Sequence, residues 1–341
     1  MTLMTRGRGT FKVEALKGEG EPSEMARNVR SGLQSKPKDL SPWPKYFYDA
    51  KGSELFEEIT ELPEYYQTRT ELSILREKSD EIVSRTACRQ LVELGSGSAS
   101  KPRALLDAML RSFPDGRTVR YVPLDVSESA LRESGERLLE EYPGLEIRGY
   151  VGDFDHSLGA LLKDQDGEEN GCRLVIFLGG TIGNFTPRKR SEFLGRLRDE
   201  LRLGDHLLVG VDLVKDRPTL EAAYNDCAGV TARFNKNLLN VLNERLGATF
   251  DPDLFEHRAI YDTGEARIEM WLHSTVDQEV YVADLELKVR FRAGEGMRTE
   301  ISAKFTPDSV GRTFEEAGLT LLNLYTDDQN LFGVALGKVE A

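Results

Sequence analysis

Between Leu91 and Val211 the chain alternates short apolar runs with stretches of helical spacing. Leu91–Leu94, Val119–Leu124, Leu145–Val151, Leu174–Leu178 and Leu207–Val211 read as buried strands. Pro102–Arg111 and Ser127–Tyr142 read as the helices between them, and Pro143-Gly144 ends the second. Thr186 and Pro187 suit the N-cap and first turn of a further helix that carries Phe193, Leu194, Leu197 and Leu201. Such alternation predicts an α/β fold with a doubly wound, mostly parallel sheet.

The pattern changes after Asp212. Pro218 to about Leu246 reads helical, then Ile268–His273, Val280–Phe291 and Arg298–Phe305 show period two. In the last run Ile301, Ala303 and Phe305 share one face, and Glu300 and Ser302 the other. These strands predict an antiparallel sheet in an inserted second domain. Thr306-Pro307 opens a helix to near Gly318, and Leu319–Lys338 reads as two strands returning to the first sheet. On the N-terminal side, the prolines make Ser41–Asp49 extended and irregular. Ser53–Thr60 predicts a helix capped by Ser53, and Leu62–Thr68 a loop. Thr68 and Glu71 have capping-box spacing ahead of a helical pattern through Leu72, Leu75 and Ile82. Residues 1–24 read as a flexible leader. The expected partition assigns 70–214 and 305–341 to the parallel-sheet domain, and 25–69 and 215–304 to an appended α+β domain.

Composition narrows the partners. A formal net charge of -13 over 341 residues argues against non-specific attraction to nucleic acid or anionic lipid. No apolar stretch approaches membrane-spanning length. The partner expected is a small molecule, and the protein a cytoplasmic monomer. Cys88, Cys172 and Cys227 are odd in number and far apart, which argues against a disulfide framework or a thiolate zinc site. The four histidines form no HxH or HExxH pattern, so no metal is expected.

Candidate chemistry gathers at strand ends. Leu91-Val-Glu-Leu-Gly-Ser-Gly-Ser-Ala-Ser-Lys101 is a strand running into a glycine turn, where Gly95 and Gly97 let a ligand approach the main chain. The turn lacks the last glycine of a dinucleotide fingerprint, which weakens a nicotinamide reading. Asp125 ends the next strand, where an acid can accept from ribose hydroxyls. Asp153 and Phe154 follow the third, where an acid and a ring suit adenine. Each acid alone reads equally well as a helix cap or turn residue. Together they have the layout of an S-adenosylmethionine (SAM) site. Lys101 is either a solvated lysine or a partner for the cofactor's carboxylate. A second turn, Phe177-Leu-Gly-Gly-Thr-Ile-Gly-Asn184, follows the fourth strand, where a substrate would face the methyl donor. Asn184 offers a donor and an acceptor to an ammonium–carboxylate pair, or is an ordinary turn residue. Glu300 and Ser302 either read a ring such as imidazole or lie in solvent, and spacing alone favours solvent.

These residues carry a resemblance. Tyr46–Phe56, Leu62-Pro-Glu-Tyr-Tyr66, Glu93-Leu-Gly-Ser-Gly97 with Lys101, Gly179–Phe185, Asp212-Leu-Val-Lys-Asp216 and Thr299-Glu-Ile-Ser302 are similar to the histidine Nα-methyltransferases of ergothioneine biosynthesis, which make hercynine. The resemblance runs from about Tyr46 to the C-terminus. It implies a Rossmann-like SAM-methyltransferase sheet with an appended substrate-binding domain, SAM as methyl donor, L-histidine as substrate and no metal. It implies that Gly95 and Lys101 contact SAM, Asp125 the ribose, and Asp153 and Phe154 the adenine. Tyr48 would lie near the sulfonium and the reacting amine. Tyr65, Asn184 and Tyr224, with Gly179 close by, would hold the amino-acid end, with Tyr48 and Asn184 at the reacting centre. Glu300 and Ser302 would bind the imidazole, and Met270 would border it. Loop length is expected to vary around Asp115 and Glu168. The alternatives are a methyltransferase for tryptophan or tyrosine, a nicotinamide oxidoreductase, and a non-catalytic SAM-binding module.

Overall fold

The computed structural model describes residues 4–6, 9–16, 22–97, 101–113, 118–163 and 171–340. The chain opens with strands β1 (Met4–Arg6) and β2 (Gly9–Ala15), helix α1 (Pro22–Gln34), a short β3 (Lys38–Asp39), and helices α2 (Ala50–Thr60) and α3 (Tyr66–Thr86). The alternating segment follows as β4 (Gln90–Leu94), α4 (Pro102–Ser112), β5 (Arg120–Asp125), α5 (Glu128–Glu141), β6 (Glu146–Val151) and α6 (Phe154–Lys163). It continues as β7 (Arg173–Phe177), α7 (Pro187–Glu200) and β8 (His206–Asp212). Helices α8 (Arg217–Ala223) and α9 (Val230–Leu246) lead to β9 (Phe255–Asp262), β10 (Arg267–Ser274), β11 (Gln278–Val282), β12 (Leu287–Phe291) and β13 (Gly296–Ala303). The tail is α10 (Pro307–Glu316), β14 (Thr320–Thr326) and β15 (Phe332–Lys338).

The large sheet has the order β1-β2-β6-β5-β4-β7-β8-β15-β14. From β2 to β8 the neighbours are parallel, and β15 and β14 join antiparallel. The chain leaves β4 towards β5 on one side and later returns to β7 on the other. Strand order therefore reverses between β4 and β7, where a parallel sheet opens a ligand crevice at its C-terminal edge. Period two divides the strands between two cores. Leu91, Leu174 and Leu208 pack on one face, and Val92, Val175 and Val209 on the other. Both glycine turns leave the sheet at this reversal.

The second body is a sheet of order β3-β13-β10-β9. Phe234, Leu238 and Leu242 of α9 join Ile268, Met270 and Leu272 of β10 in its core. Phe47, Leu55, Tyr65 and Tyr224 share that core, so residues before α3 and after β8 fold together. Among the described residues no helix is long and apolar enough to cross a membrane.

Several expectations are corrected. Part of the expected leader is strand. β2 pairs with β6 from Thr10 to Ala15, and Phe11 and Val13 are buried. Its alternation is too short to stand out without the neighbouring strand. Helix α2 starts at Ala50, capped by Asp49 rather than Ser53. Helix α3 starts at Tyr66, inside the expected loop, with no side-chain cap. The helical stretch from Pro218 is broken between α8 and α9, where Gly229 has φ +70° and Asp226 accepts the free N–H groups of Val230 and Thr231. Val280–Phe291 is a hairpin rather than one strand, turning through Ala283–Leu285. Strand β9 had no distinct signal. The cysteine argument fails as well: Cys88 and Cys172 form a disulfide between the entry ends of adjacent strands. Their separation of 84 residues hides that adjacency. His206 lies beside the pair, a donor cluster that no spacing pattern announced. With the sulfurs joined to each other, His206 alone of the three keeps a free donor. The loops around Asp115 and Glu168 lie outside the described residues.

At the sheet edge away from the crevice, Arg173 is buried against Asp205. Its backbone N–H and Nε each donate to the carboxylate at 2.8 Å, and Nη1 donates to Leu162 O at 2.7 Å. Asp205→Ala leaves a buried guanidinium unpaired, and a loss of about 3–5 kcal/mol is expected. Urea unfolding measures it, and a loss below about 1 kcal/mol would contradict the account.

Candidate functional site

The first turn is held by the acid that follows it in space. Gly95 and Gly97 have φ of +76° and +48°, angles that only glycine adopts without strain. Gly97 N–H donates to Asp125 Oδ2 and Ser127 N–H to Asp125 Oδ1, both at 2.9 Å. Each oxygen has a second lone pair, so Asp125 can brace the turn and still accept from two hydroxyls. Ser98–Ser100 of this turn lie outside the described residues. Below the turn, Glu93 is buried and bonded to Tyr121 OH. Burial pushes its carboxyl up to about 8, against the opposing effects of that bond and of Lys101.

A residue read as a helix cap ties the two turns together. Glu71 has no side-chain exposure and receives Lys101 Nζ at 2.7 Å. Its two oxygens also accept Gly179 N–H, at 2.9 and 3.0 Å. A Cβ at Gly210 of β8 would lie 1.9 Å from Glu71 Oε1, so only glycine leaves room for this carboxylate. At Gly179, φ is +83° and a Cβ would stand 3.0 Å from Lys101 Nζ. The sequence carried one weak signal for Glu71, an acid on the apolar side of a helix.

At the third strand end, Asp153 Oδ2 accepts Lys45 Nζ at 2.8 Å, and Lys45 also meets Glu24 at 3.0 Å. The Phe154 ring is fixed edge-on against Phe177 and Phe193, with centroids 5.4 and 5.8 Å away.

The opposite wall comes from the second body. Gly183 sits so close to β13 that a Cβ would fall 2.9 Å from Ala303 O, which presses the Thr181–Asn184 turn against the strand carrying Glu300 and Ser302. Met270 faces Glu300 in register across β10 and β13 and is buried. Tyr65 and Tyr224 meet edge to face at 6.3 Å. Tyr224 OH lies 2.8 Å from Ser302 Oγ. His257 Nε2–H donates to Tyr224 O at 2.9 Å, and the Asn235 amide donates to its Nδ1 at 2.8 Å, which fixes the tautomer and the Tyr224 backbone. Tyr48 lines the mouth with 39% of its surface open while its hydroxyl is withdrawn from solvent, edge-on to Phe56 and Phe234. The following Asp49 is tied to Asn237 of α9 at 2.9 Å.

The electrostatics sort these groups. Burial pushes the Glu300 carboxyl up to about 7, and Lys304 opposes that rise. Burial also raises the phenols of Tyr48 and Tyr65, and Glu300 raises both further. Both stay protonated near neutral pH and so have an O–H to donate. Tyr48 is additionally raised by Asp125, so it senses both walls at once.

Tyr48, Tyr65, Tyr224, Met270, Glu300 and Ser302 thus form one group, and Gly95, Lys101, Asp125 and Gly179 another, with Asn184 on the turn between. Asp153 and Phe154 stand at the far end of the second group. Sequence reasoning missed Glu71, Asp212 and Lys304. Lys304 had a legible signal, since 300, 302 and 304 share one parity on an alternating strand.

Residues 25–339 match the family described as "Histidine-specific methyltransferase, SAM-dependent". The histidine N-alpha-methyltransferase of Mycolicibacterium smegmatis is 49% identical over 94% of this chain and 97% of its own length. The enzyme of the same name from Mycobacterium tuberculosis is 47% identical over 92% and 94%. Ergothioneine biosynthesis protein 1 of Schizosaccharomyces pombe is 30% identical over 82% of this chain, which spans 36% of that longer protein. With two glycine turns at the reversal of a doubly wound sheet, and Asp125, Asp153 and Asp212 at the ends of β5, β6 and β8, this chain belongs to the SAM-dependent, histidine-specific methyltransferases.

Proposed function

We propose that this protein transfers methyl groups from SAM to the α-amine of L-histidine, three times, and releases the betaine hercynine as the first step of ergothioneine biosynthesis. The observation that carries the reading is the pair Glu300 and Ser302. A half-buried carboxyl and a buried hydroxyl, two residues apart on β13, suit the N–H and the bare nitrogen of one imidazole. Residues 70–214 and 305–341 would hold the methyl donor, and 25–69 and 215–304 the amino acid.

The first wall fits SAM: two glycines with left-handed angles, a lysine for a carboxylate, and an aspartate with two lone pairs to offer. When bound, SAM supplies an electrophilic methyl carbon on a positively charged sulfur. The protein's task is then to hold a neutral amine in line. Asn184, Tyr65 and Tyr224 would orient the α-amino and carboxylate groups. The amine must shed a proton before each attack. Neutral Tyr48 and Tyr65 cannot take that proton, which leaves solvent at the open mouth beside Tyr48. The Tyr48 ring would stabilise the cation that forms. At the other end, Glu300 would reject side chains without a matching N–H, because its carboxyl would be left unpaired.

The direct test is mass spectrometry after incubation with SAM and all twenty amino acids. Trimethylated histidine as sole product is expected. Another methylated amino acid overturns the pocket assignment, and SAM binding without any product overturns the catalytic reading.

Glu71→Gln keeps the shape of the clamp but removes the charge that anchors Lys101. Loss of a charged hydrogen bond predicts about tenfold to hundredfold weaker SAM binding, with histidine affinity changed less. Calorimetric titration of each ligand decides this, and unaltered SAM affinity would refute the clamp.

Glu300 also predicts a pH signature in the substrate-free protein. Among the described residues, Lys304, Tyr48 and Tyr65 are the titratable groups coupled to it electrostatically. Its carboxyl is raised, from an ordinary value near 4.5 to about 7, so folding takes up a proton in that interval. The associated stability is complete below about 4.5 and is lost as pH climbs through 7. Glu300→Gln removes this loss. Relative to wild type, the variant should gain on the order of 2 kcal/mol between pH 5 and 8. Parallel profiles of unfolding free energy against pH would show that Glu300 is not held in this way.

A further inference from the structure

Behind Ser302 lies a charged group that the reading above does not use. Lys304 follows β13 with no side-chain exposure. Its ammonium has three protons and three acceptors: Asp212 Oδ2 at 2.8 Å, Ser302 Oγ at 2.9 Å and Tyr224 OH at 3.0 Å. Asp212, at the end of β8, is also met by Lys215 Nζ at 2.6 Å and by Tyr66 OH at 2.8 and 3.0 Å. Burial would raise the Asp212 carboxyl, but Lys304 and Lys215 more than offset this and hold it below the ordinary range. The pair is therefore ionised, and Lys304 can only donate.

Proton counting then fixes the polarity of the pocket wall. Tyr224 and Ser302 own two hydroxyl protons. One lies in the 2.8 Å bond between them. The other cannot return to Lys304, which has no lone pair. If Tyr224 donates to Ser302, the serine accepts twice and its own O–H must point outward. If Ser302 donates to Tyr224, the phenol accepts twice and points outward instead. In both cases the pair turns one donor outward and keeps a single lone pair, on Tyr224 in the first arrangement and on Ser302 in the second. We propose that Lys304, held by Asp212, is a positioning residue that sets substrate specificity by forcing the Tyr224–Ser302 pair to act as a donor. This rests on the histidine reading. A wall with the Glu300 carboxyl and one obligate donor matches a neutral imidazole, with one N–H and one bare nitrogen. A ring with no bare nitrogen at the second position leaves that donor unpaired. Without Lys304, the two hydroxyls are free to rotate and accept.

The test is steady-state kinetics of Lys304→Met, alone and combined with Ser302→Ala. Lys304→Met leaves Asp212 paired with Lys215, so no unbalanced buried charge arises. The KM for histidine should rise about tenfold or more while the KM for SAM changes little. In the Ser302→Ala background the same substitution should add much less, since the group it acts through is gone. Lys304→Gln, which keeps an N–H donor, should recover part of the histidine KM and serves as the second variant if Lys304→Met does not fold. An unchanged histidine KM in a folded Lys304 variant overturns the proposal, as do effects of Lys304→Met and Ser302→Ala that simply multiply. Wild-type protein that fails to methylate histidine overturns the underlying reading instead, so the two failures are distinguishable.

Discussion

A carboxylate removed from water is costly unless cations and N–H groups meet it. This protein places two such carboxylates at the C-terminal edge of its parallel sheet. Glu71 arrives from α3 and is met by Lys101 and the Gly179 N–H. Asp212 ends β8 and is met by Lys304, Lys215 and Tyr66. Each satisfies its charge with groups from distant parts of the chain. The first thereby joins the two glycine turns, and the second joins the parallel sheet to β13 of the other body. The crevice at the strand reversal is a general property of the fold. What makes it a particular site is that its two walls are fixed by buried charge.

Glycine is what lets these charges in. The carboxylate of Glu71 lies where any side chain on residue 210 would stand, and the ammonium of Lys101 lies against the open face of Gly179. Gly183 works in the same way on the main chain, letting the second turn press onto β13. Small residues in a strand and a turn therefore act at a distance, by deciding which polar group occupies the space they vacate.

Much of this was legible in the sequence, and the limits have physical causes. Short apolar runs at Leu91–Leu94 and Leu207–Val211 placed buried strands to within a residue, because strands covered on both faces are apolar at nearly every position. The strand ends carrying Gly95, Asp125 and Asp153 followed from that. What stayed hidden was long-range pairing. Glu71 looked like a cap because capping-box spacing is local, whereas its partners lie 30 and 108 residues away. Cys88 and Cys172 looked isolated because they precede adjacent strands, β4 and β7, that the chain connects through β5 and β6. β2 looked like a leader because a short strand is recognised by its neighbours, here β1 and β6. The break before α9 depends on the Asp226 carboxylate replacing a helix's own bonds, which apolar spacing does not report.

The raised phenol of Tyr48 describes the site in another way. After burial, the groups that disfavour its ionisation include Glu300 on one wall and Asp125 on the other. A position where a phenolate is disfavoured by neighbouring negative charge is one where a cation is favoured by it. Under the proposed reading, positive charge enters this space on sulfur and leaves it on nitrogen, so the same potential serves both ends of the transfer. A permanent base there would add little, since each proton is lost before the methyl moves. An aromatic surface inside a negative potential, open to water on one side, holds the charge while its carrier changes. Lys304, held by Asp212, stands on the far side of Ser302, where under the same reading it sets hydrogen-bond polarity for the ring. The site thus separates its two electrostatic tasks in space, recognition of a neutral ring at one end and tolerance of a growing cation at the other.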